Sequence, residues 1–271
     1  IRAALDNRDD ALAVAELESL QRNEPKIFAL NNYDYLLARA AERRGDFALA
    51  AAQFQAVVRR DSVLREYALW HLAQLARSSG NLLLERVYLS ELLLTTAAPE
   101  SLLIPAANAR LARSYFESKD FAAAIRQWSV ANSAINNGQR TTDNGQSREN
   151  QALLGEAYLL SGKPNEAREI FIKLINNLPN PAQPDDFALA AAAGLDELDS
   201  APGEFGKTAP KLADLEHFRR AKIYQLNRDF ADARLHFQAI VERFPQSPNM
   251  AEALYQIGRG YALENNFNEA I

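Results

Sequence analysis

The segment closest to a nucleotide-handling motif is Gly206-Lys207-Thr208, which matches the tail of a phosphate-binding loop. The full motif opens with a further glycine at the place held here by Ala201, and it needs a strand before it and a helix directly after. In this chain a helical pattern precedes and Pro210 follows, so no row of backbone N–H groups is aimed at a phosphate. A surface loop is the expected reading. The histidines, His71, His217 and His236, lack zinc-motif spacing and have no cysteine to help them. His71 sits beside Trp70 in a helical pattern, a packing or surface position. Gly258-Arg259-Gly260 also lies inside a helical pattern, where Gly258 permits close packing, and is no dinucleotide fingerprint. The acids fall at helix starts and on solvated faces, and spacing alone does not show the opposed placement across a cleft that glycoside hydrolysis needs. These residues predict neither a catalytic site nor a cofactor or metal site in this chain.

A chain without its own chemistry must work through its elements. At 48% hydrophobic and 24% charged residues, the composition is that of a globular protein. Its 271 residues suit one or two ordinary domains, but a repeat array escapes that ceiling because each unit contacts only its neighbours. A net charge of -5 with acids and bases interleaved argues against a nucleic-acid arm. The lack of cysteine excludes disulfides and thiolate metal sites, and is compatible with both cytosol and bacterial periplasm. No stretch approaches the roughly 20 apolar residues needed to cross a bilayer. The sequence opens on Ile1 and stops at Phe267-Asn268-Glu269-Ala270-Ile271, where a helix should begin; we expect a piece of a longer protein, with room for a signal segment outside it.

One short pattern recurs: Asp46-Phe47-Ala48-Leu49-Ala50, Asp120-Phe121-Ala122-Ala123-Ala124, Asp229-Phe230-Ala231-Asp232-Ala233 and Asn266-Phe267-Asn268-Glu269-Ala270. The Asp or Asn can cap orphan backbone N–H groups, the aromatic is expected to wedge into a hairpin, and the alanine lets two helices approach closely. A large ring follows one helical turn later on the same face, at Phe54, Trp128 and Phe237. Upstream of each start lies a second periodic element with a small residue and, in every set but the first, an aromatic. The sets are Leu37-Ala38, Ala41 and Gly45; Leu111-Ala112 and Tyr115, leading on to Ala131; Leu154-Gly155, Tyr158, Gly162, Ala167, Phe171, Leu174 and Pro179; Ala221, Tyr224, Ile240 and Pro245; and Ile257-Gly258 and Tyr261. This is the helix–turn–helix pattern of a tetratricopeptide repeat, and the chain resembles that family.

The expected fold is an all-α solenoid, a right-handed superhelix of antiparallel helix hairpins running through residues 1–271. Units are expected near 1–25 (partial), 31–62, 66–97, 105–136, 148–179, 211–245 and 250–271 (truncated), with an extra helix at 185–199. The second full unit is weak: Leu72-Ala73, Ala76 and Gly80 fit, but Glu85 stands where alanine is expected. Asn136 to Arg148, with two Asn-Gly steps, reads as a polar loop. Asn176 to Pro184, rich in proline, cannot be regular helix, and Ser200 to Pro210 reads as another loop.

In a tetratricopeptide array the first helix of each hairpin lines the concave face. Aligning the hairpins puts Tyr35 and Arg39, Trp70 and Gln74, Phe218 and Lys222, and Tyr255 and Arg259 at equivalent places, each pair one turn apart. Arg113 takes the basic position in its unit and Glu156 breaks the series. Such a groove, floored with rings and rimmed with cations, suits an acidic or aromatic peptide or protein segment, or a glycan strand stacked on rings. Packing of the same rings by an adjacent helix is the alternative.

The C-terminal quarter carries a second resemblance. Phe218-Arg219-Arg220-Ala221-Lys222-Ile223-Tyr224, Asn227-Arg228-Asp229-Phe230, Phe244-Pro245-Gln246-Ser247-Pro248 and Tyr255-Gln256-Ile257-Gly258-Arg259-Gly260 are similar to the helical region ahead of the catalytic domain in bacterial soluble lytic transglycosylases. That resemblance implies a periplasmic, peptidoglycan-handling protein with a lysozyme-like domain elsewhere. The family's catalytic Glu-Ser segment, with its following Gly-Leu-Met-Gln-type stretch, is absent; Glu100-Ser101 and Glu117-Ser118 lack that context. The Phe-Pro-x-Ser-Pro step is shared with outer-membrane-assembly repeat proteins. The expectation is therefore a non-catalytic interaction scaffold of a bacterial cell-envelope protein, with the superhelix of a lytic transglycosylase as the alternative.

Overall fold

The computed structural model describes residues 1–95, 101, 103–136 and 144–270. Among them are helices only. The chain opens with α1 (Arg2–Asp6), α2 (Asp10–Asn23) and α3 (Pro25–Leu30). Pairs follow: α4 (Tyr33–Arg44) with α5 (Phe47–Arg59), α6 (Arg65–Ser78) with α7 (Leu82–Thr95), α8 (Leu103–Glu117) with α9 (Phe121–Asn136), and α10 (Asn144–Leu160) with α11 (Pro164–Asn176). A lone α12 (Asp186–Asp199) precedes the pair α13 (Asp214–Leu226) and α14 (Phe230–Arg243), and α15 (Met250–Leu263) comes last.

One turn closes the first helix of hairpin after hairpin, and it explains where the Asp/Asn pattern falls. The residue ahead of the cap takes a left-handed φ: Arg8 56°, Gly45 86°, Gly80 76°, Lys119 62°, Gly162 71°, Arg228 66° and Asn265 62°. Two backbone bonds then satisfy orphan carbonyls of the finished helix, as in Gly45 N–H to Glu42 O (3.0 Å) and Asp46 N–H to Ala41 O (2.9 Å). The same pair recurs at Lys119 and Asp120, and at Arg228 and Asp229. The next side chain caps the new helix: Asp9 accepts from Leu12 N–H, Asp46 from Leu49, Asn81 from Leu84, Asp120 from Ala123 and Asp229 from Asp232. At Lys163 no side-chain cap exists, and Pro164 starts α11 with its preset φ instead.

This turn sets a pair of opposed expectations. Left-handed backbone penalises a Cβ, so Arg228→Gly should stabilise the protein by about 0.5–1 kcal/mol after the entropy cost of glycine, and Gly45→Ala should destabilise it by about 1 kcal/mol. Urea midpoints at constant slope measure both.

The chain divides into two compact units, residues 1–141 with α1–α9 and residues 142–271 with α10–α15. Within each, a helix packs on the one after it, so that α4 to α9 form one stack and α10 to α12 another. The seams hold the small residues the repeat pattern picks out: Ala38, Ala73, Ala112, Ala50 and Ala124 in the first unit, and Ala167, Ala221 and Ala233 in the second, are all fully buried. Phe54, Trp128, Phe171 and Phe237 fill the space beside them. Helix α12 packs on both α10 and α11, the position of a first helix, but residues 200–213 and then a fresh hairpin follow it. Arg243 pins that loop, its guanidinium donating to the carbonyls of Pro210 (2.8 Å) and Ala209 (3.0 Å).

Several expectations need correcting. The aromatic after the cap does not generally wedge inwards: Phe47 is 57% exposed, and Phe230 is buried. The segment from Asn144 to Arg148 is helix, while 137–143 of the expected loop lie outside the described residues. Arg148 holds the start of α10 in place, donating to Asp185 Oδ1 (2.9 Å) and to the carbonyls of Asn177 (2.9 Å) and Leu174 (3.3 Å). These tertiary anchors outweigh the turn preference of Asn-Gly. Beyond Asn23 the chain forms α3, with Pro25 at its first turn, in the gap between the expected units 1–25 and 31–62.

Candidate interaction surface

The residues aligned on the first helices fall into both units, and each unit presents its own set. In the first, Tyr35 on α4 is half-buried, edge-on to Phe54 (5.6 Å between ring centres) and to His71 (6.1 Å). Burial raises its phenol pKa. Arg39, one turn on, donates to Glu42 (2.6 Å) and lies 3.0 Å from His71 Nδ1. Burial works to raise the Glu42 carboxyl, but hydrogen bonds and charge from His71 and Arg39 outweigh it and hold it below the ordinary carboxylate range. His71 itself stacks on Phe54 at 5.0 Å. Trp70 on α6 lies under the Arg110 guanidinium at 5.1 Å, with half-buried Gln74 one turn further along. Arg113 on α8 is exposed, its Nε 3.3 Å from Glu117. In this unit the rings are packed by neighbouring helices and show an edge.

In the second unit Phe218 on α13 packs edge-on to Phe237 (6.1 Å), with the Lys222 ammonium 5.8 Å from its ring centre. Lys222 reaches Glu252 of α15 at 3.8 Å, which sets α13 and α15 side by side. Tyr255 on α15 is 63% exposed, and Arg259 stands exposed one turn later, its Nη1 3.3 Å from Gln256 Oε1. On α10, Glu156 takes the corresponding place; partial burial and the charge of Glu197 on α12 push its carboxyl up. The surface thus runs from acid on α10 and α12 to ring and cation on α13 and α15.

Two buried polar clusters had no counterpart in the sequence reading. In the first unit Glu85 is fully buried between Arg77 of α6 (3.1 Å) and Arg110 of α8 (2.7 Å). In the second, Asp196 of α12 accepts from Arg220 Nη1 and Tyr224 Oη, both at 2.6 Å, and from His236 Nε2 at 2.9 Å. Burial would raise that carboxyl, but His236, Tyr224 and Arg220 hold it low. Tyr224 is driven well up by burial and by Asp196. Both nitrogens of His236 are engaged, since His217 Nδ1 lies 2.9 Å from its Nδ1. The spacing of Arg220 and Tyr224, one turn apart, was a visible hint of a shared polar face; nothing in the sequence selects Asp196 as their partner. Among the described residues no group of three or more His, Cys, Asp or Glu is arranged to hold a metal ion. Gly206-Lys207-Thr208 is an exposed loop, with Lys207 Nζ bonded to Gly203 O at 2.7 Å.

The tetratricopeptide repeat family matches residues 152–181 and 217–247, the α10–α11 and α13–α14 hairpins. Among solved structures the chain is similar to a tetratricopeptide repeat protein from Parabacteroides merdae ATCC 43184, with 15% identity, 96% of this chain and 90% of that chain covered, and a TM-score of 0.48. No curated protein matches. No helix among the described residues is long and apolar enough to cross a membrane.

Proposed function

We propose that this chain is a non-catalytic interaction scaffold, holding a protein or peptide segment on the first-helix face of its hairpins. Tetratricopeptide repeats in general serve protein interaction, and the second unit carries two of them. The observation that supports this reading best is the Phe218–Lys222 pair of α13 beside Tyr255 and Arg259 of α15, which puts rings and cations on one face. An exposed aromatic beside cations recognises an acidic or aromatic segment through ring contact and charge, and a preformed helical surface needs little ordering to do so. Tyr35, Arg39, Trp70, Gln74 and Arg113 are the corresponding positions of the first unit, where packing leaves less ring surface to a ligand.

Fluorescence anisotropy with labelled acidic-aromatic peptides tests the reading. Tyr255→Ala and Arg259→Glu should each weaken binding about tenfold, the effect of losing an interface anchor, without a change in helical circular dichroism. Binding unchanged in both variants refutes the assignment. A bacterial cell-envelope location is part of the proposal and rests on the resemblance of residues 218–260 to lytic-transglycosylase helical regions. Retention on purified peptidoglycan that Tyr255→Ala abolishes would transfer the ligand from peptide to glycan strand.

A further inference from the structure

His217 on α13 and His236 on α14 face each other Nδ1 to Nδ1 at 2.9 Å, and both are buried. Two ring nitrogens at that distance share a single proton, one donating and the other accepting with its lone pair. On its far side His236 Nε2 meets the Asp196 carboxylate, which also receives Arg220 and Tyr224. An ionised carboxylate only accepts, so His236 Nε2 carries a proton. Two arrangements remain: a neutral His236 accepting from His217, or a charged His236 donating to a neutral His217. In either, one imidazole is neutral. A second charge would set two N–H groups head to head in a buried site, which the geometry does not allow.

Helix α12 has no second helix of its own, and the exposed loop 200–213 stands in for one. Beneath that loop lies a cavity of about 10 Å³, lined by Asp196, Ser200, Tyr224 and His236 among others; the buried Ser200 hydroxyl and, apart from the cavity, His217 Nε2 have no hydrogen-bond partner among the described residues. Unsatisfied polar atoms lower the cost of local opening.

We infer that the His217–His236 pair is an acid-released clasp: through Asp196 it fastens the α13–α14 hairpin to α12, and a second proton on the pair opens that junction. The groups facing it are Asp196 and Asp199 of α12, Glu216, Arg220 and Tyr224 of α13, and Asp232 and Arg243 of α14. Burial first, then the charge of His236, holds His217 at about 4, against the ordinary 6.5. The open state therefore binds a proton below 6.5 that the closed state refuses until about 4, so the clasp is at full strength above 6.5 and is lost as the pH falls through that window. Asp232 works the other way, because burial and the charges of Asp229 and Asp196 raise its carboxyl and acid favours its folded form. Asp196, held low, stabilises the closed form above the ordinary carboxylate range and loses that contribution only as the pH falls below it, outside this window.

Amide hydrogen exchange of the 271-residue chain, corrected for intrinsic rates, tests this. The opening constant of α13 and α14 should rise roughly 50-fold from pH 7 to pH 4.5, as one extra bound proton requires. In His217→Gln, which keeps a donor for His236 but cannot take a proton, the rise should be mostly gone. No rise in the wild type, or the same rise in His217→Gln, overturns the clasp. Should the variant fold poorly, histidine ring resonances of the wild type decide: the His217 ring must take up its proton together with loss of the folded α13–α14 signals. Two protonated imidazoles within an intact fold would refute it.

Discussion

Gly194→Ala should destabilise the second unit by about 2 kcal/mol, although alanine gains up to about 1 kcal/mol as a helix former. A Cβ at Gly194 would stand 2.4 Å from Phe171 Cε2, and one at Gly155 would stand 2.4 Å from Cε1 on the other edge of the same ring. Phe171 is thus clamped between α10 and α12. A ring pressed by one new methyl normally shifts away, but here the second glycine marks the far wall. Gly155→Ala should cost a similar amount. Phe171→Ala removes the wedge and leaves a cavity, for about 3–5 kcal/mol. The decisive comparison is Gly194→Ala in a Phe171→Leu background, where the smaller side chain frees the space and the substitution should become neutral or stabilising. Urea denaturation gives the four values of that cycle. A stability gain from Gly194→Ala with Phe171 intact would show that the clamp does not exist.

What the sequence made legible follows from which constraints are local. The hairpin turn needs a left-handed residue, a capping side chain and a small residue one turn into the new helix, and Gly45-Asp46 with Ala50 displays all three within a few positions. Close helix contact needs alanine or glycine, so Ala38, Ala124, Ala167 and Ala233 announce the seams, and α12 was visible as an apolar run. The unread features depend on partners distant in sequence. Arg148 anchors the start of α10, where the Asn-Gly step is helical, to Asp185 and to the carbonyls of Leu174 and Asn177 at the end of α11. His217 and His236 carry no motif, and they meet because one lies on each helix of a hairpin that α12 abuts. The aligned surface positions were legible as a series. How far each ring is covered was not, since Tyr35 is sheltered by Phe54 and His71 while Tyr255 has no ring against it among the described residues.

Glu85 is the sharpest departure from the repeat, and its substitution cycle is expected to show strong coupling. It stands on α7 where α5, α9, α11 and α14 have a buried alanine, and it is no less buried. Its carboxylate ties three helices together: Arg77 of α6 donates to Oε2 and Arg110 of α8 to Oε1, while Arg110 also donates to Ala73 O (3.2 Å) and covers the Trp70 ring. Arg110→Met leaves the buried Glu85 carboxylate with only the part-exposed Arg77, and a buried charge short of a partner is costly, so it should destabilise the first unit by about 3 kcal/mol. Glu85→Ala alone should cost only about 1–2 kcal/mol: Arg77 is part-exposed and keeps Glu117, and alanine restores what the neighbouring hairpins carry. With Glu85 already alanine, Arg110→Met leaves no carboxylate stranded and should cost less than about 1 kcal/mol, a coupling near 2 kcal/mol. Additive costs in the double variant would mean that the arginines are held by their other contacts and that Glu85 is merely tolerated. Strong coupling would mean that the charge triad replaces the small-residue seam here. Arg110 would then be committed to the fold and not to a ligand.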